Sequence, residues 1–530
     1  MNAYIERLMR ALTNPNVYPH HPDSVQVVQT HISIVFLSGA YVYKIKKPLS
    51  LGFLDFTTID KRKFFCQQEV DLNSRFSKDI YIGVTTIYES AAGVINLIGD
   101  GREIEYAVLM KIIPEDKILR NALALNLVDE LIIDKVAAAI RAYHSGATGG
   151  PQISVFGTPE VIAQNVMENF YQTEDFIGET ISAETFQCIK RQSLSFMEKN
   201  HDTLEERVKA GNIRDCHGDL HLDHVVLFDQ IMLVDCIEFN DRFRYSDCLA
   251  DIAFLLMDLD FSGYPAFSNR VLGQYLLGCS DDNTRDLLRF YKVYRAYVRG
   301  KVHSFTLKES EIDTKEKIRA ASIASNYFKL ARAYFESAPE PTLVIMCGLM
   351  GSGKSFLARK LAMRLGVELI RSDVARKDSF SLAHSNHRLD NYGEGIYTRA
   401  SSERIYRMMF DEAAMRLKRR ENVIIDASFG KRVNRMTAVN LAKEHNARFL
   451  LIHCEAPDDM IHSRLDKRVK QNKDPSDGRW ELFEQQKADL EILDLEEKCG
   501  YVKYIPDIDI SEFLTRITRQ ISFGIEITKI

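Results

Sequence analysis

No apolar run in the sequence approaches the roughly 20 residues a helix needs to cross a bilayer, so a membrane protein is not expected. The stretch Met1 to Leu12 carries Glu6 and Arg7 within a short amphipathic segment and does not read as an export signal. Basic charge is not in excess either: 69 Lys and Arg stand against 74 Asp and Glu, a net charge of -5. Residues 341–530 hold 32 basic and 28 acidic residues, and the upstream part 37 and 46, so neither half sets up a strong field. Affinity for long phosphate backbones needs a basic stripe, which argues against nucleic acid as the partner and leaves small anionic ligands open. The nine cysteines, among them Cys66, Cys188, Cys216, Cys347 and Cys499, are scattered, odd in number and lack a CxxC pair. That pattern disfavours a disulfide framework and a zinc site and fits a reducing cytoplasm. There is no internal repeat and no low-complexity tract. What is present is an ordinary globular composition, 45% apolar and 27% charged, on 530 residues, too long for one core.

A seam follows the charge-rich helical stretch from about Ile312 to Phe335, where Pro339 and Pro341 mark a linker over 337–341. The expected domains are therefore 1–336 and 342–530. Upstream, His31 to Phe36, Tyr41 to Lys46 and Tyr106 to Ile112 read as strands, and 129–144 and 181–210 as helices. This part starts β-rich and becomes helical, an α+β arrangement. Downstream, strand-like runs at Thr342 to Cys347, Glu368 to Arg371, Asn422 to Asp426 and Arg448 to His453 alternate with helical segments, the pattern of a parallel α/β sheet.

The segment Gly348-Leu349-Met350-Gly351-Ser352-Gly353-Lys354-Ser355 follows a predicted strand and opens a predicted helix, the context a phosphate-binding P-loop requires. Its glycines let backbone N–H groups curl around phosphates, Lys354 reaches the β- and γ-phosphates of ATP, and Ser355 is placed to ligate Mg²⁺. Strand carboxyl ends line the ligand crevice of such sheets, which makes Asp373 a candidate general base and Asp426 a candidate metal or acceptor-hydroxyl partner. Arg464 and Arg468 lie four apart on one helix face and lead into the polar segment Asn472 to Gly478, which reads as an arginine lid over the phosphates. Together with Ser372-Asp373-x-x-Arg376 and Asp426-Ala427-Ser428-Phe429, these features resemble the P-loop kinases of the zeta-toxin-like, polynucleotide-kinase-like and gluconate-kinase-like group. The resemblance covers most of residues 341–510 and implies phosphorylation of a hydroxyl.

In the first half, Cys216-His217-Gly218-Asp219-Leu220-His221-Leu222-Asp223-His224 reads as a kinase-type catalytic loop. Asp219 takes the place of the base that accepts the hydroxyl proton. His224, five residues on, and Glu238, after the short strand Ile231 to Val234, take the places of a metal clamp. Lys44 is the candidate for the α/β-phosphate lysine, with Lys46 and Lys47 as rivals, and Glu69 on the following helix is placed to orient it. These residues, with Ile237-Glu238-Phe239 and the run Asp247 to Ala253, resemble the aminoglycoside phosphotransferase family over roughly residues 25–335. The resemblance implies a two-lobed protein-kinase-like fold with an N-lobe over about 25–113 and a C-lobe over about 114–336. It also implies ATP with Mg²⁺, a small hydroxylated acceptor, and Asp247 and Asp251 as braces of the loop. His224 stands where Asn is usual in that family and Glu238 where Asp is usual, and an imidazole suits softer divalent ions such as Mn²⁺. The expected protein is a bifunctional, cytoplasmic, ATP-dependent phosphotransferase with two nucleotide sites. The competing expectation is an N-terminal pseudokinase or sensor that regulates one active P-loop ATPase or nucleic-acid-end kinase.

Overall fold

The computed structural model describes residues 3–99, 101–277, 282–309, 312–336, 339–380, 393–471, 478–493 and 500–525. The chain divides into two compact units, Met1–Leu259 with Ser268–Phe335, and Asp260–Phe267 with Glu336–Ile530.

The first unit begins with β1 (Val25–Gln29), β2 (Ser33–Ser38), β3 (Tyr41–Lys46), β4 (Tyr81–Glu89), β5 (Ile95–Asn96) and β6 (Arg102–Lys111). They form an antiparallel sheet in the order β1-β2-β3-β6-β4-β5. Alternation along β3 buries Tyr43 and Ile45 in a core with Ile34, Phe36 and Ile87, and places Lys44 and Lys46 on the other face. The helix Ile59–Ser77 crosses between β3 and β4 and is capped by the Thr58 side chain, which accepts from the Lys61 amide. Its buried residues Arg62, Cys66, Glu69, Asn73 and Ser77 recur every three or four positions, so one face is buried although most of it is polar. Such a face is tolerable only when every group finds a partner. Arg62 Nε donates to both Glu105 oxygens on β6 at 3.0 and 2.9 Å, and its Nη1 donates to the Phe56 carbonyl at 3.0 Å. The Ser77 hydroxyl donates to the Leu233 carbonyl.

The remainder of this unit is mainly helical, with two small ladders: β7 (Ile213–Asp215) against β10 (Tyr245–Asp247), and the hairpin β8 (Val225–Leu227) with β9 (Ile231–Leu233). The predicted helix over 181–210 is two helices, Ala183–Lys199 and His201–Lys209, that meet at Asn200.

In the second unit β11 (Thr342–Cys347), β12 (Leu369–Arg371), β13 (Val423–Asp426), β14 (Arg448–Cys454) and β15 (Tyr501–Tyr504) form a parallel sheet in the order β12-β13-β11-β14-β15. Every residue of β11 and β13 is buried, which is why both read as continuous apolar runs. The short segment Asp260–Phe267 also belongs to this unit: the Tyr264 hydroxyl accepts from Arg364 at 2.9 Å and the Phe261 ring lies 3.8 Å from the Arg519 guanidinium. Chain order alone assigns it to the first domain, and these two aromatic–arginine contacts are what the sequence does not reveal.

The Arg62–Glu105 pair should dominate the fit of the helix Ile59–Ser77 against the sheet. Arg62→Ala is expected to cost on the order of 3–5 kcal/mol in urea unfolding, because it strands a buried carboxylate, whereas Arg62→Met with Glu105→Leu should recover much of that loss. A cost under about 1 kcal/mol for the single variant would contradict this account.

Candidate active sites

In the P-loop unit the turn after β11 is shaped by positive backbone angles at Gly348 (φ 137°), Gly351 (φ 74°) and Gly353 (φ 102°). A Cβ at Gly348 would stand 2.3 Å from the Cys454 carbonyl oxygen, so side chains are excluded there by the end of β14 as well as by φ. The loop opens the helix Lys354–Leu365, with Ser355 half-buried in its first turn. Lys354 Nζ donates to the Leu349 carbonyl at 2.7 Å, folded back on its own loop. Burial holds its pKa below the ordinary value, against the pull of the Asp426 carboxylate and, more weakly, of Asp373. The Ser352 hydroxyl is buried with no hydrogen-bond partner. Positive-φ glycines, a backbone cradle and an orphaned buried hydroxyl fit a polyphosphate.

Three further predicted residues come to this loop. Asp426, buried at the end of β13, is the register partner of Met346 on β11 and Arg371 on β12, and Arg371 Nε lies 3.4 Å from its Oδ2. Asp373 sits in the first turn of the helix Ser372–Ser379. Arg464, on the helix Asp458–Gln471, donates to the Gly351 carbonyl at 3.2 Å. Arg468 is on the same helix, near Gly478, where a Cβ would meet its Nη1 at 3.5 Å. Residues 472–477 of the expected lid lie outside the described residues.

In the first unit the catalytic-loop region is assembled from distant segments. Lys44 Nζ on β3 donates to Glu69 Oε1 at 2.8 Å and to Asp235 Oδ1 at 2.5 Å. Lys46 Nζ donates to Glu69 Oε2 at 2.7 Å and to Glu238. Glu69 thus sits between both lysines. Burial alone would raise its pKa, but Lys44 and Lys46 outweigh burial and lower it. For Lys44 burial works downward, and Asp235, Glu69 and Glu238 together hold the ammonium well above its ordinary value. Lys46 is the more deeply buried of the two, so Lys44 is the lysine that reaches toward the loop.

The loop itself is pinned from below. Asp251 accepts from the amides of His217 at 3.1 Å and Gly218 at 2.9 Å, as the family resemblance implies. Asp247 instead accepts from the Leu249 amide and from Arg207, bracing the start of the helix Cys248–Phe261. His224 Nδ1 lies 2.8 Å from the Asp219 carbonyl oxygen, so that nitrogen carries the proton and Nε2 keeps its lone pair. Nε2 lies 3.6 Å from Asp235 Oδ2.

This geometry corrects one expectation. The carboxylate opposite His224 is Asp235, not Glu238, whose side chain is taken up by Lys46 and whose pKa is raised by burial. Hairpin register explains it: Val225 pairs with Leu233 and the Val234 amide donates to the His224 carbonyl at 3.0 Å, so the next residue, Asp235, is the one beside His224. Asp235 adopts φ 60°, and its amide donates to the Tyr81 hydroxyl at 3.0 Å. The available signal was an acid directly after the strand.

Of the three histidines of the loop, His221 and His224 are charged differently. Burial pushes His221 down, but Asp219 at 3.4 Å and Asp223 at 3.3 Å raise it to about 9. His224 is lowered to about 4 by burial and by the neighbouring His221 charge. Asp219 is driven upward by burial, yet His221, His224 and Arg299 hold it well below the usual carboxylate range. An ionised base, a neutral imidazole with a free Nε2 and a carboxylate form a set that fits a divalent cation, and its mixed N/O donors suit Mn²⁺ at least as well as Mg²⁺.

Because folding raises the His221 pKa, the stability it contributes is full below about pH 6.5 and is lost as pH rises through about 9. Ring NMR should find His221 titrating near pH 9 and His224 neutral down to about pH 4, and His221→Asn should remove part of the stability loss between pH 6.5 and 9. Titration of both rings near their ordinary value would contradict the assignment.

Comparison with known proteins is consistent with this division. Residues 90–291 match the phosphotransferase enzyme family, and residues 343–493 match a family described as an AAA domain. Uncharacterized proteins of Mycobacterium tuberculosis and Mycobacterium bovis are 28% identical over 474 residues, 88% of this chain and 91% of theirs. Among solved structures, a choline/ethanolamine kinase family protein from Mesorhizobium loti covers 61% of this chain and 99% of its own at 10% identity, TM-score 0.36. A putative kinase from Chloroflexus aurantiacus covers 34% and 99% at 20% identity, TM-score 0.29. No described helix is long and apolar enough to cross a membrane. The chain thus joins a kinase-like domain that matches the phosphotransferase enzyme family model to a P-loop kinase-like domain that matches the AAA domain model.

Proposed function

We propose that the protein is an ATP-dependent phosphotransferase with two nucleotide sites, each transferring the γ-phosphoryl group to a hydroxyl of a small molecule. The observation that carries the reading is the convergence of Lys44, Glu69, Asp219, His224 and Asp235, five residues from four separated segments, at one place. Lys44, oriented by Glu69, would bind the α- and β-phosphates. His224 Nε2 and Asp235 would hold the divalent ion in the first unit, and Ser355 with Asp426 in the second. In both, the ion would supply positive charge to offset the negative charge that develops on transfer. Asp219, ionised and an acceptor only, would orient the acceptor hydroxyl and take its proton. In the P-loop unit Asp373 would do the same, with Arg464 and Arg468 supporting the phosphates.

The complete lysine–glutamate–aspartate set in the first unit favours catalysis over a purely regulatory module. Calorimetric titration of ATP with Mg²⁺ and with Mn²⁺ should find two sites, one removed by Lys44→Ala and the other by Lys354→Ala. Asp219→Asn should leave ATP binding intact and lower turnover at the first site by about 10²–10⁴-fold. A single site lost only in Lys354→Ala would overturn the two-site reading in favour of a sensor domain.

A further inference from the structure

Directly beneath the catalytic loop, three buried side chains from three segments meet: His144 from the helix Glu130–Gly146, Cys216 from the residue preceding His217, and Cys248 from the start of the helix Cys248–Phe261. One ring nitrogen of His144 and the two thiol sulfurs all lie within 4.8 Å of one another. A fourth donor is at hand. His144 Nδ1 lies 2.7 Å from the Tyr275 hydroxyl. The other ring nitrogen, Nε2, lies 3.1 Å from Asp251 Oδ2. None of these residues has a place in the phosphoryl-transfer chemistry.

We propose that His144, Cys216 and Cys248 form a binding site for a borderline-soft divalent cation of the Zn²⁺ class, with the Tyr275 hydroxyl or a water as a fourth ligand. Two thiolates and an imidazole are the donor set Zn²⁺ and Co²⁺ select, and thiolates do not suit Mg²⁺. Asp251 supplies the carboxylate that orients a metal-bound histidine, since it already accepts from Nε2–H and leaves Nδ1 facing outward from that contact. The thiols exchange protons for metal: two S–H bonds break, two metal–sulfur bonds form, two protons go to solvent, and the cation's two charges are balanced by the two thiolates.

The scattered cysteines argued against zinc in the sequence. The ligands come from positions 144, 216 and 248, and no local spacing advertises them. The site has a mechanical consequence, because Cys216 is the first residue of the loop and Asp251 holds both His144 and the loop amides. A bound cation would tie the root of the Asp219 loop to two helices, a structural staple rather than a catalytic metal.

The test is titration of chelator-treated full-length protein with Co²⁺, followed by absorption spectroscopy. A thiolate-to-cobalt charge-transfer band saturating near one Co²⁺ per chain, release of about two protons, and displacement by Zn²⁺ are expected. His144→Gln and Cys248→Ser should each weaken Co²⁺ binding by more than about 100-fold, judged against the roughly 10–100-fold typical when a residue that only hydrogen-bonds a ligand is changed. Co²⁺ at the His224–Asp235 position gives no charge-transfer band, so the readout stands apart from the phosphotransferase reading. Absence of the band in wild type, which requires no variant to fold, overturns the proposal. So does a band that survives Cys248→Ser in protein whose circular dichroism is unchanged.

Discussion

The first unit depends on a buried chain of alternating charge: Asp235, Lys44, Glu69, Lys46 and Glu238, each touching the next. It joins β3, the helix Ile59–Ser77 and the segment after the β8–β9 hairpin. Buried charges are tolerated only when paired, and loss of either lysine leaves Glu69 with one ammonium partner in place of two and takes the lysine from Asp235 or from Glu238. The chain carries three carboxylates against two ammonium groups. Its two ends differ: Glu238 is enclosed, and burial raises its pKa, whereas Asp235 is the more exposed end and stays ionised beside a neutral imidazole. The uncompensated negative charge is thereby left at the end that faces His224, where a phosphate-bound cation would restore balance.

The second unit solves the same problem with backbone. Its anion cradle is a run of eight residues whose amides and positive-φ glycines do the binding, and the sheet merely delivers it. This contrast explains what was legible. A P-loop is local, so its residues, strand and helix could all be read in order, and β11 and β13 emerged as apolar runs because both faces of each are covered. Asp426 was legible for the same reason: it is the polar residue that terminates such a run.

The charge chain, by contrast, is spread over positions 44, 46, 69, 235 and 238, and only its members on β3 and the helix Ile59–Ser77 follow from pattern. Strand alternation places Lys44 and Lys46 on one face but does not say which one reaches the loop. That depends on Glu69 lying between them and on Glu238 occupying Lys46. The exchange of Asp235 for Glu238 arose in the same way. Counting from a motif puts Glu238 after the turn, whereas hairpin pairing, Val225 with Leu233, fixes the facing residue three positions earlier. The strands β7 and β10 escaped notice because three residues carry no periodicity, although they set the start of the catalytic loop.

The substitution of histidine for the expected amide at position 224 makes sense only with its neighbour. His221 and His224 have ring centroids 4.0 Å apart, too close for two imidazolium ions in a buried site. Asp219 and Asp223 flank His221 and assign the proton to it, and the resulting charge keeps His224 neutral to about pH 4. The Asp219 carbonyl then accepts a hydrogen bond from Nδ1–H, so the ring lone pair of His224 is on Nε2, on the side of Asp235. An amide oxygen would need no such arrangement, but an imidazole does, because a protonated ring has no lone pair to offer a cation. The four acid and histidine residues from Asp219 to His224 therefore act as one unit: His221 carries the charge, Asp219 remains a carboxylate and His224 keeps a neutral ring.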